Sequence, residues 1–168
     1  MKLAFSTKGW HGRSFAELCD IAAELRFGGI ELHNVRNDLF TAQNSAFHDY
    51  AAASTRRVLY EKKLKIPCID SICDPADAQK TEDSFAELEE CIRIAANLRI
   101  PYIRIHASSH GEAGDVEHVK QFIEKILPMA EQDGVTLLLE TSGLFADTES
   151  LRNVLEYFAC DGIAALWD

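Results

Sequence analysis

Alternation constrains this chain more than any other feature. Six short apolar runs are separated by five longer segments with helical periodicity, strictly in turn and roughly 30 residues apart. The runs are Leu3–Ser6, Gly29–His33, Ile66–Asp70, Pro101–His106, Thr136–Glu140 and Ile163–Asp168. Runs apolar throughout are the mark of strands covered by helices, so the pattern predicts one parallel sheet of right-handed βαβ units. Helices are expected to open at Ser14 and again at Ser84, each in a Ser-Phe-Ala-Glu capping box. Others are expected over residues 46–64, from Asp115 to about Gln132, and from a cap at Asp147 or Thr148 to Asp161-Gly162.

Two architectures satisfy this alternation, an open doubly wound sheet and a closed (β/α)8 barrel. The first βα turn, Ser6-Thr-Lys-Gly-Trp-His-Gly-Arg13, lacks the G-x-G-x-x-G of a dinucleotide site, and no Walker A sequence is present. Strand parity then separates the two. Ile30, Leu32, Ile103 and Ile105 share one side of their strands, which leaves Glu31, His33, Arg104 and His106 on the other. Burying such a face beneath helices would cost several kcal/mol for each unpaired charge. The open top of a barrel accommodates it, with Glu31 and Arg104 as partners. The expected fold is therefore a (β/α)8 TIM barrel of which residues 1–168 supply the first six βα units as a single domain.

Chemistry in such barrels sits at the C-terminal ends of the strands. Glu140 and Asp168 each close an apolar run there with a carboxylate. Strand neighbours are about 4.8 Å apart, so the two acids would emerge side by side. A solvent-facing acid is the plain alternative for Glu140, and a frayed terminus for Asp168. His33 and His106 follow strands two and four as substrate contacts or as hydrogen-bonded core histidines. Trp10, in the first βα loop, either offers its flat ring to a substrate or packs its loop. His110 and His118 are expected in solvent.

The bulk numbers exclude several classes. A formal net charge of -10, from 27 acidic against 17 basic residues, opposes a nucleic-acid partner. Arg56-Arg57 and Lys62-Lys63 read as a solvated helix face. Five cysteines form no CxxC pair, which fits reduced thiols in a cytoplasmic protein better than a zinc site or a disulfide framework. No apolar run reaches the roughly 20 residues of a membrane span, and the N-terminus lacks a signal-peptide core.

Taken together, Phe15-Ala-Glu-Leu, Gly28-Gly-Ile-Glu-Leu, Tyr102-Ile-Arg-Ile, Leu138-Leu-Glu140 and Leu166-Trp-Asp168 resemble the xylose isomerase-like TIM barrels. That superfamily includes sugar and sugar-phosphate isomerases and epimerases, inosose dehydratase and endonuclease IV. The resemblance implies a divalent metal (Mn, Mg, Co or Zn) held by Glu140 and Asp168, with a His and a Glu after strands seven and eight completing the site. It implies a small sugar substrate and proton transfer through an enediolate, with Glu140 as the catalytic group. A complete barrel needs about 250 residues. The expected state of this chain is thus a fragment of a longer enzyme or a natural, non-catalytic remnant, with open edges that invite self-association. A phosphodiesterase acting on damaged DNA is the remaining alternative, and the charge speaks against it.

Overall fold

A computed structural model describes residues 3–108 and 115–167. Its order is β1 (Ala4–Ser6), α1 (Phe15–Glu24), β2 (Gly29–His33), a one-turn α2 (Asp38–Thr41), α3 (Ala52–Glu61), β3 (Cys68–Asp70), α4 (Thr81–Leu98), β4 (Tyr102–Ile105), α5 (Asp115–Gln132), β5 (Thr136–Glu140), α6 (Thr148–Phe158) and β6 (Ile163–Leu166). All six strands are parallel and pair in chain order, β1-β2-β3-β4-β5-β6. A doubly wound sheet would reverse its strand order partway; this one does not.

The two faces of the sheet differ as parity predicts. Ile30, Leu32, Ile69, Ile103, Ile105, Leu137, Leu139 and Ile163 are buried in one core shared with the helices. Glu31, His33, Arg104 and Leu138 point the other way and remain half-buried. Helices therefore cover one face only, the barrel arrangement. Side chains this well buried each contribute about 1.5–3 kcal/mol to holding the layers together.

Two helix starts differ from expectation, each for a physical reason. The helix expected over 46–64 begins only at Ala52, after a 3-10 turn at Asp49–Ala51. Phe47 is drawn into an aromatic cluster instead, its ring 4.4 Å from Phe40 and 4.8 Å from Phe15. The Ala46 carbonyl accepts a hydrogen bond from Thr55 Oγ1, which seals the loop onto α3. Ser14 does form the full capping box with Glu17. Ser84, in the same four-residue word, caps nothing: α4 starts three residues earlier, at Thr81. Ser84 Oγ accepts from Asp74 N, and the Glu87 carboxylate accepts from Ile72 N at 2.7 Å. The spacing that caps a helix here ties down the loop arriving before it.

Smaller differences concern ends. β3 starts at Cys68 rather than Ile66, and α6 stops at Phe158, where Ala159 adopts the left-handed conformation at φ 45°. His118 is half-buried, 3.1 Å from Thr81 Oγ1, rather than solvated. His110 and Asp168 lie outside the described residues. All five cysteines are free thiols. Among the described residues no helix is long and apolar enough to cross a membrane.

Candidate functional site

The strand register stacks the polar residues at one end of the sheet. His33 pairs with Asp70, and Asp70 with Arg104; Glu140 lies two residues beyond Leu138, the neighbour of Arg104. Each is at or near the C-terminal end of its strand. Arg104 is the hub. Its Nε donates to Glu140 Oε2 at 2.6 Å and lies 3.8 Å from Asp70 Oδ1, while Nη1 lies 3.7 Å from Glu31 Oε1. The Glu31–Arg104 partnership expected from parity is present.

Two histidines flank the hub. His33 Nδ1 is 2.7 Å from Asp70 Oδ2, and the His33 backbone is fixed at both ends. Its N–H donates to Thr7 Oγ1 and its carbonyl accepts from Asn37 Nδ2. On the far side, His106 Nδ1 is 2.8 Å from Ser142 Oγ, and Ser142 N donates to the Glu140 backbone carbonyl at 2.8 Å. Gly143 lets this loop close. It sits at φ +55, and a Cβ there would come within 2.2 Å of the Ala107 carbonyl oxygen.

Glu140 is only 8% exposed, and that burial disfavours its charge. The hydrogen bonds from Arg104 and Ser142 outweigh it and hold the carboxyl below the usual carboxylate range. Glu140 is therefore ionised at neutral pH.

Of the residues singled out from sequence, the structure gathers Glu140, His33 and His106 along one rim. Trp10 stands apart from Glu140, packed at 5.3 Å against the Phe5 ring. Trp10 and His33 both line a cavity of about 650 Å³ between the loops after β1 and β2, which Glu140 and His106 do not line. Leu166 is the β6 residue that pairs with Glu140, and Leu166 O accepts from Thr141 N. Asp70 is the residue that sequence reading missed. Its signal was available, because Ile66-Pro-Cys-Ile-Asp70 is an apolar run ending on an acid, like the run before Glu140.

The donor set does not by itself suit a divalent cation. Among the described residues no three His, Cys, Asp or Glu side chains are grouped to hold one. One oxygen of Glu140 is also already engaged by Arg104.

Sequential parallel strands, helices on a single face and an ionisable rim at the strand C-termini define a TIM-barrel-like α/β protein. The chain belongs to the xylose isomerase-like TIM barrel family, whose model matches residues 19–168. Among solved structures it is similar to 3-keto-D-glucoside 4-epimerase from E. coli, with TM-score 0.79 and 13% identity over 100% of this chain and 68% of that one. The probable 3-DHS dehydratase of petrobactin synthesis from Bacillus anthracis gives TM-score 0.77 and 20% identity, over 100% and 63%. A curated relative, a probable endonuclease 4 from Natronomonas pharaonis, is 29% identical over 96 residues, which is 54% of this chain and 34% of that protein. The chain thus spans 34% of this curated relative and 63–68% of the two structures.

Proposed function

We propose that this chain supplies the first six βα units of a sugar or sugar-phosphate isomerase or epimerase. The observation that carries the reading is the Arg104 hub, a guanidinium shared by Glu31, Asp70 and Glu140 at the C-terminal rim. Polyols are recognised by fixed, fully oriented polar groups, and this rim offers them on four adjacent strands. Glu140, ionised and oriented, takes the proton from the carbon next to the substrate carbonyl. Arg104, released in part from Glu140 as that carboxyl is neutralised, is placed to stabilise the negative charge that develops on oxygen. His33 and His106 bind substrate hydroxyls.

A divalent ion (Mn, Mg, Co or Zn) belongs to the proposal only with Asp168 and donors outside the described residues. When bound, it would supply Lewis-acid polarisation of the carbonyl. The similarity to a probable endonuclease 4 favours a second reading, phosphodiester cleavage. Three carboxylates on a single guanidinium and a net charge of -10 make a poor seat for a phosphate backbone.

The test is proton exchange. The protein carrying this chain, incubated with ketoses and divalent metal in D2O, should wash deuterium into the carbon next to the carbonyl, read by NMR. Glu140→Gln should slow the exchange by at least about 100-fold. Exchange that survives this substitution removes Glu140 from the mechanism. Absence of exchange with every ketose favours a non-catalytic barrel.

A further inference from the structure

The rim changes sign across His33. On one side three acids surround Arg104. On the other, the cavity of about 650 Å³ is lined by Lys8, His11 and Arg13 from a single loop, in a chain whose net charge is -10. Lys8 and His11 make no ion pair among the described residues. Arg13 is 3.3 Å from Glu17, but both side chains are half exposed, so water and ligands exchange freely with that pair. Asp38, also exposed, is the one acid among the cavity's lining residues. The cavity size lies within the range of small-molecule sites, and Trp10 gives it one apolar wall.

We propose that this cavity seats an anionic group, a phosphate monoester or a carboxylate, at the end of the polyol whose other end meets Arg104 and Glu140. The proposal rests on the polyol reading above and names the substrate class more narrowly. Charge fixes the orientation. An anion beside Glu31, Asp70 and Glu140 meets like charge, whereas beside Lys8 and Arg13 it gains charge-assisted hydrogen bonds. His33 bridges the two regions, since it lines the cavity and bonds Asp70. Substrates with a charged tail would therefore bind in one direction, with the neutral carbonyl end delivered to Glu140.

Calorimetric titration of the full chain with ribitol, ribitol 5-phosphate, ribonate and inorganic phosphate tests this. At least one anionic polyol should bind about tenfold or more tightly than ribitol, and the stronger of the two identifies phosphate or carboxylate as the group recognised. Lys8→Gln should weaken that ligand about fivefold more than it weakens ribitol, while Lys8→Arg keeps the preference. Equal binding of all three polyols, or a uniform loss in Lys8→Gln, overturns the anion seat and leaves the polyol reading intact. Inorganic phosphate bound through Lys8 without any ribitol binding would support the seat and sink the polyol reading. No binding of either anionic polyol or of phosphate overturns the seat.

Discussion

Arg104 meets carboxylates from three strands, so its removal takes away a cation that Glu31, Asp70 and Glu140 share. Arg104→Met should destabilise the fold by about 2 kcal/mol at neutral pH, below the 3–5 kcal/mol of a fully buried pair because these side chains keep some contact with water. The pH dependence follows from Glu140. Its carboxyl titrates below its ordinary range when folded, so it contributes stability that is present above that range and lost as pH falls through the lowered value. The gap between wild type and Arg104→Met in urea denaturation should thus shrink on acidification below the ordinary carboxylate range. A gap independent of pH would mean that the guanidinium acts through packing alone. Parity in the sequence was enough to place Glu31 and Arg104 together. It could not reveal that Asp70 joins them and holds His33, because that depends on which strands become neighbours.

Elements were legible where a segment's own residues decide its structure. β2 and β5 run over Gly29–His33 and Thr136–Glu140, and α5 over Asp115–Gln132, as the periodicity predicts. Boundaries went astray where distant residues compete for the same groups. Glu87 abandons its own helix end for Ile72 N, and Phe47 leaves its helix for Phe15 and Phe40. Helix ends carry another lesson. Arg26, Lys63, Arg99 and Ala159 take left-handed backbone after α1, α3, α4 and α6, positions that glycine usually fills. Arg99, at φ 58°, is exposed, and its side chain makes no hydrogen bond or ion pair among the described residues. Arg99→Gly should therefore stabilise the protein by about 0.5–1 kcal/mol, through relief of the clash between Cβ and backbone. A lowered melting temperature would show that the Arg99 side chain contributes more than its backbone costs.

For the molecule as a whole, the described sheet has two edges, because β1 pairs only with β2 and β6 only with β5. Unpaired N–H and C=O groups on such edges are templates for another chain. The inner face adds partly exposed Leu138 and Leu166 and an exposed Tyr102, and Trp167, just after β6, is 87% exposed. We expect the 168-residue chain expressed alone to self-associate through these edges, with a sedimentation coefficient that rises with concentration. A sharp, concentration-independent monomer would count against this.

The sequence by itself determined what each segment must bury. Apolar runs alternating with amphipathic helices leave a parallel sheet as the stable outcome, and the parity of Ile30, Leu32, Ile103 and Ile105 puts the ionisable residues on the uncovered face. Beyond the Glu31–Arg104 pair, tertiary structure decided who meets whom on that face. Sequential pairing in register brings Asp70 between His33 and Arg104, and Arg104 within reach of Glu140. Burial is set by a residue's own chemistry and its place in a local period, whereas an ion pair between strands depends on register, which the whole sheet fixes at once.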